Sequence, residues 1–185
     1  MLAIESIQGS DRGDCMPYPL SAAARSAVEV FLGVGSNTRR HHHLRLAIRD
    51  LRRILRDIQC SPVYESAAFG LAAPAFHNLV VRGTTRLQLK VLSRELKALE
   101  LKHGRNREEP AAVTLDVDIL VYGERVGCFD GLVLPREDLL TRAYVLKPMS
   151  QLAPEKLHPL AGLSYASLWA ESELEDNILP ALVSV

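Results

Sequence analysis

Two carboxylates placed two residues apart in an apolar, β-branched run, Asp116 and Asp118 of TLDVDIL (Thr114 to Leu120), are the side chains of this chain best suited to do chemistry. Side chains alternate between the faces of a strand, so both acids project from the same side. Left to themselves they repel each other and resist burial; a hard divalent cation such as Mg2+ between them removes both penalties. Phosphoryl transfer is the chemistry such a pair supports. The alternative is a half-solvated edge strand, with Thr114, Asp116 and Asp118 facing water and Leu115, Val117 and Ile119 facing the core.

The acids need a scaffold, and the patterning describes one. Val28 to Val34 (VEVFLGV) predicts a buried strand entering a turn at Gly35, Ser36 and Asn37. From His43 to Ile58, apolar residues at Leu44, Ala47, Ile48, Leu51, Ile54, Leu55 and Ile58 mark the core-facing stripe of a helix. Its other face carries Arg45, Arg49, Arg52, Arg53 and Arg56, a solvated face in preference to an anion or nucleic-acid surface. Cys60 to Phe69 predicts a strand ending in a loop, and Asn78 to Thr85 a second strand. Thr85 with Gln88 resembles a capping box, and Leu89, Leu92, Leu96 and Leu99 give a second helix its stripe up to His103, where Gly104 stops it. The loop from Arg105 to Val113 then leads into the strand of the two aspartates. The order β-α-β-β-α-β predicts an α+β, ferredoxin-like core: an antiparallel sheet with two helices on one face. After Tyr122 the pattern predicts a short hairpin around Gly127, a loop near Pro135, and short helices at Tyr144 to Leu152 and Ser164 to Ala170.

At 185 residues, 48% hydrophobic and 24% charged, the chain can bury a real core, which disfavours disordered and membrane-spanning classes. Residues 1–27 read as a partly ordered extension, 28–170 as one domain and 171–185 as a tail. Lys plus Arg equals Asp plus Glu at 22 each, so any anion site must be built locally. Cys15, Cys60 and Cys128 are odd in number and lack metal spacing, which fits reduced thiols and a cytoplasmic location. With only 5% aromatic residues, the sheet lacks the stacking platforms of an RNA binder, so no nucleic-acid partner is expected, and no membrane partner either. His41, His42 and His43 cannot all face one ion from a regular helix, which favours a polar turn over a metal-binding module.

Several segments taken together resemble the hydroxymethyl-dihydropterin diphosphokinase family of folate biosynthesis: LGVGSN (Leu32 to Asn37), the loop from Tyr64 to Asn78 ending PAFHN, the run Glu100 to Arg107 ending GRNR, TLDVDIL, and LPREDLLTRAYVLKPMSQLAPEKLHP (Leu134 to Pro159). GSN alone is weak, whereas TLDVDIL following GRNR and preceding LAPE and HP is specific. The resemblance covers roughly Val28 to Trp169 and implies a ferredoxin-like fold. It implies transfer of the terminal diphosphoryl group of ATP to 6-hydroxymethyl-7,8-dihydropterin, giving the pterin diphosphate and AMP. It further implies two Mg2+ ions on Asp116 and Asp118, with Arg107 in the catalytic set. Ser66, Phe69, Phe76, Asn78 and Tyr144 match the pterin positions, and Lys97, Glu100, Arg105, Arg107, Arg136 and Arg142 the ATP side. For Glu100, a helix-surface acid remains the alternative. The implied partners are these small substrates, in a monomer or weak homodimer.

The chain departs from the family pattern at several of these places. Pro110, Ala111, Ala112 and Val113 stand where the family has Trp-Gly-Pro-Arg, and Leu134, Pro135 and Arg136 where it has Val-Pro-His. Val133 replaces a Thr, Ser66 and Ala67 replace Thr-Pro, and Lys97 stands where Gln is common. Three outcomes stay open: an active enzyme, a paralogue acting on another pterin, and a weak relic. Two loops, Gly70 to His77 and Arg105 to Val113, are expected to close over the site and exclude water.

Overall fold

The computed structural model describes residues 26–68, 72–174, 177–182 and 185. Residues 1–25 of the expected extension, with Cys15, lie outside them, as does Phe69. In chain order the elements are β1 (Val28–Ser36), α1 (Arg40–Leu51), β2 (Arg56–Cys60), β3 (Tyr64–Ser66), β4 (Phe76–Thr85), α2 (Leu89–Lys102), β5 (Asp116–Tyr122), β6 (Gly127–Phe129), β7 (Leu132–Leu134), α3 (Asp138–Thr141), α4 (Ala143–Leu152), α5 (Tyr165–Ala170) and β8 (Leu179–Pro180).

The sheet runs β5-β1-β4-β3-β8, with β2 also paired to β4, and every pairing is antiparallel. This is the ferredoxin-like arrangement expected from the element order, with its second strand divided into β2 and β3. α1 and α2 close one face: Leu44, Ile48, Leu51, Leu92, Leu96 and Leu99 pack with Val30, Leu32, Leu79, Val81, Val117 and Ile119. On the other face Phe31, Val80, Leu120 and Val121 pack with Leu146 and Met149 of α4 and Tyr165 of α5. Burial on both sides accounts for the continuous apolar runs Val30 to Leu32 in β1 and Leu79 to Val81 in β4. A register shift opposite Phe31 and Leu32 leaves Leu120 as an extra residue in β5, so Leu120 and Val121 both join the second cluster.

Three expectations are corrected. The helix predicted over His43 to Ile58 spans only Arg40–Leu51, and Arg56–Cys60 is a strand. Ile54 and Ile58, four residues apart, fit a period of two as well as the helical stripe, and the edge of β4 offers Arg56, Gln59 and Cys60 backbone partners. Ser61 and Pro62 then break the predicted Cys60 to Phe69 strand: proline brings no N–H, and Ser61 Oγ accepts from Val80 N at 2.9 Å in place of a ladder bond. Thr85 and Gln88 form no capping box. Thr85 ends β4 and its hydroxyl accepts from Leu87 N, while the N-cap Gln88 makes no side-chain cap.

Arg39, ahead of α1, sits in the left-handed region at φ 43° and ψ 44°. A side chain there is strained and glycine is not. Arg39→Gly is expected to stabilise the protein by about 0.5–1 kcal/mol, the relief outweighing the added freedom of the unfolded chain, as measured by urea denaturation.

Candidate active site

Gly33 and Gly35 occupy the middle of the sheet where the two aspartates need open space beside them. In register, Gly35 lies between Asp116 of β5 and Asn78 of β4, and Gly33 between Asp118 and Val80. The expected turn at Gly35 is therefore strand. Its lack of a side chain matters here, since a Cβ would come within 2.8 Å of Asn78 Oδ1. Over this flat floor opens a cavity of about 290 Å³ whose walls include Ser66, Phe76, Asn78, Asp116, Asp118, Arg136, Asp138 and Tyr144. A volume at the small end of ligand cavities suits a flat heterocycle.

One wall is suited to an amino-oxo ring. Asn78, nearly buried, donates through Nδ2 to Ser66 Oγ at 2.9 Å, which fixes the amide plane beside Phe76. Tyr144, in the first turn of α4, has its phenol held above the ordinary range by burial and then by Asp138, so it stays a protonated donor.

The opposite wall is acidic. Burial, then the neighbouring Glu100, raises the pKa of Asp116; burial, then Asp116 itself, raises that of Asp118. β5 is an edge strand, as the alternative reading had it, yet its acids face a cavity rather than open water. Arg136, anchored by its backbone N–H to Leu120 O, places Nη2 3.8 Å from Asp118 and 2.8 Å from Asp138. Asp138 was not singled out from the sequence; the acid two residues after Arg136 in the PRED run was the available signal. Among the described residues, no three His, Cys, Asp or Glu side chains gather at one point. The two carboxylates form a hard-oxygen donor set that fits Mg2+ and leaves other coordination positions to substrate oxygens and water.

Behind Asp116 stands a cationic group outside the cavity lining. Lys97, Arg105 and Arg107 each pull the Asp116 pKa back down. Lys97 Nζ and Arg107 Nη2 pair with Glu100 at 2.7 and 3.2 Å. Glu100 is 1% exposed, not a helix-surface acid, and its Oε1 also accepts from Val117 N at 3.0 Å. Arg105 Nε is buried with no hydrogen-bond partner, a donor in want of an acceptor. Arg142, at the junction of α3 and α4, lies 3.9 Å from Asp138 and also outside the lining. Glu100→Ala is expected to destabilise the fold by about 2–3 kcal/mol, because the Val117 N–H is left buried without an acceptor while Lys97 and Arg107 reach water. Thermal denaturation of the variant checks this.

The role of GSN also emerges only in three dimensions. Asn37 Nδ2 donates to Ala111 O, Val113 N donates to Asn37 Oδ1, both at 2.7 Å, and Asn37 N donates to Val113 O. The segment before β5 is thus clamped to the end of β1. The loop expected over Gly70 to His77 ends earlier, since Phe76 and His77 belong to β4.

Comparison with known proteins places this geometry. Residues 31–154 match the model of the family described as 7,8-dihydro-6-hydroxymethylpterin-pyrophosphokinase (HPPK). The chain is 34% identical over 131 residues to the 2-amino-4-hydroxy-6-hydroxymethyldihydropteridine pyrophosphokinase of Pseudomonas aeruginosa, covering 68% of this chain and 81% of that one. It is 30% identical over 159 residues to the folic acid synthesis protein fol1 of Pneumocystis carinii, covering 83% of this chain but only 21% of that longer protein. The corresponding enzyme of Synechocystis is spanned over 57% of its length. In fold, the wild-type HPPK-DHPS of Plasmodium falciparum superimposes with a TM-score of 0.64 over 84% of this chain and 48% of that one, at 12% identity. With the match running from β1 through the aspartate strand to the end of α4, the chain belongs to the 7,8-dihydro-6-hydroxymethylpterin-pyrophosphokinase family.

Proposed function

We propose that the chain transfers the diphosphoryl group of ATP to the hydroxymethyl oxygen of 6-hydroxymethyl-7,8-dihydropterin, releasing AMP, in folate biosynthesis. One observation carries this reading: the Asp116 and Asp118 carboxylates share a cavity of about 290 Å³ with Ser66, Phe76, Asn78 and Tyr144. Asn78 and Ser66 would meet the amino-oxo edge of the pterin, and Phe76 and Tyr144 its faces. Phe69, outside the described residues, is assigned to pterin binding by family resemblance alone. Arg105, Arg107, Lys97 and Arg142 would grip phosphate oxygens, with Glu100 holding Lys97 and Arg107 in place.

Asp116 and Asp118 would hold two Mg2+ ions, which when bound supply charge neutralisation for the phosphates and for the attacking oxygen. In the transfer, the hydroxymethyl oxygen forms a bond to the β-phosphorus and gives up its proton to water, the bond from that phosphorus to the α-β bridging oxygen breaks, and AMP leaves with its electron pair. No side chain has to act as a strong base, because alignment and electrostatics dominate such transfers. Arg136, already paired with Asp138, steadies the side of Asp118 where the family pattern has histidine. The replacement of Trp-Gly-Pro-Arg by Pro110 to Val113 favours a second reading, a slower enzyme or one for another pterin.

No helix among the described residues is long and apolar enough to cross a membrane. A cytoplasmic location, with the protein acting as a monomer or weak homodimer, belongs to the same proposal. Titration with a non-hydrolysable ATP analogue, with and without Mg2+ and the pterin, followed by an AMP-release assay, tests the whole reading. Metal-dependent nucleotide binding and AMP formation with this pterin are expected. Nucleotide binding indifferent to Mg2+ would overturn it, and AMP formation only with a different pterin would select the second reading.

A further inference from the structure

The proposed chemistry leaves unused a set of donors between α1 and the end of α2. His43 on α1 and His103, the residue capping α2, approach Nδ1 to Nδ1 at 3.4 Å. On the far side of His103, its Nε2 lies 3.5 Å from Oδ2 of Asp50, a buried carboxylate of α1. The hydrogen bond from Lys102, at 2.6 Å to the same oxygen, holds Asp50 below the usual carboxylate range, so it is an anion. An anion facing Nε2 selects the tautomer with its proton there, which leaves Nδ1 of His103 as a lone pair aimed at His43. Burial lowers the pKa of both rings and so favours the neutral form that a metal ion requires.

We propose that His43 and His103 chelate a borderline divalent transition ion such as Zn2+ through their two Nδ1 atoms, with Asp50 orienting His103 from behind. Imidazole nitrogens each about 2.0–2.1 Å from a tetrahedral zinc ion stand about 3.3–3.4 Å apart, the spacing already present. Without metal, a proton on His43 Nδ1 bridges the two rings. When the ion enters, His43 changes to its Nε2–H tautomer through exchange with water, so no net proton is released.

His43 is half-exposed, which gives the ion a path. The protein supplies two ligands and water the rest, since among the described residues no third donor joins them. Arg49 and Arg53, 3.7 and 3.8 Å from Asp50 Oδ1, and Lys102 oppose a cation and set the affinity below that of a four-ligand structural site. Imidazole donors favour Zn2+, Ni2+ or Cu2+ over Mg2+, so this site does not compete for the ions of Asp116 and Asp118. It joins the helices of one face of the sheet.

Calorimetric titration of the full chain with Zn2+, in excess Mg2+ and without nucleotide, tests the proposal. One equivalent is expected to bind in the micromolar range and to raise the unfolding temperature. His43→Asn removes both effects, Asp50→Asn weakens binding by about tenfold or more, and the double variant His41→Asn with His42→Asn leaves it intact. Circular dichroism confirms that each variant is folded, and His43, being half-exposed, tolerates replacement. Absence of binding to the wild type, undiminished binding to the His43→Asn chain, or loss of binding on removing His41 and His42 overturns it.

Discussion

Asp116→Ala is expected to abolish Mg2+-dependent binding of an ATP analogue and to lower AMP release by about 10³-fold or more, the scale of removing a preorganised electrostatic group from a phosphoryl-transfer site. The same change is expected to make the ligand-free protein more stable. Asp116 and Asp118 both have pKa values raised above the ordinary 3.8, by burial and then by neighbouring acids. The folded state therefore binds more protons than the unfolded one as pH climbs from 3.8 towards these raised values, and stability falls across that window. Below 3.8 both states are protonated and the penalty is absent; above the folded pKa values it is fully present. Asp116→Ala should flatten this decline and Mg2+ should reverse it in the wild type, which thermal melts across the acid range would measure. A variant that is inactive and also less stable at neutral pH would show that Asp116 serves the fold rather than the site.

Gly35→Ala is expected to raise the KM for the pterin by about 10- to 100-fold while leaving Mg2+-nucleotide binding within a few-fold of the wild type. The added Cβ would come within 2.8 Å of Asn78 Oδ1 and within 3.6 Å of Phe76 Cδ1. The neighbour must move, and the Asn78 amide is held by Ser66 at 2.9 Å. The loss would therefore fall on the wall assigned to the ring edge, while Arg105 and Arg107 in the loop after α2 are untouched. Calorimetry with each substrate separately resolves the two effects. Equal weakening of both ligands would show that Gly35 governs the strand as a whole.

These two positions also show how far local signals reach. The aspartate pair is visible in TLDVDIL because alternation on a strand is a local rule, and it assigns both acids to one face whatever they meet there. The stripes of α1 and α2 are local in the same sense, and they carry the element order that predicts a ferredoxin-like core. The same stripe misleads at Ile54 to Ile58, where helical and strand periods coincide over a few residues and the free edge of β4 decides. For Glu100 a surface acid stays open as the alternative because helical periodicity does not reveal that Val117 N, Lys97 and Arg107 converge on it. Gly35 reads as a turn because its reason for lacking a side chain is Asn78, 43 positions away in the chain and opposite it in the sheet.

From residues alone came the class of the fold, the paired carboxylates and the segments that carry the family resemblance, since each depends on neighbours within a few positions. Only the tertiary structure decided that the acids face a cavity, that Asp138 engages Arg136, that Asn37 clamps the segment before β5, and that His43 meets His103. Those contacts join residues brought together by strand register and helix packing, and their energies depend on distance in space, which periodicity along a chain does not encode.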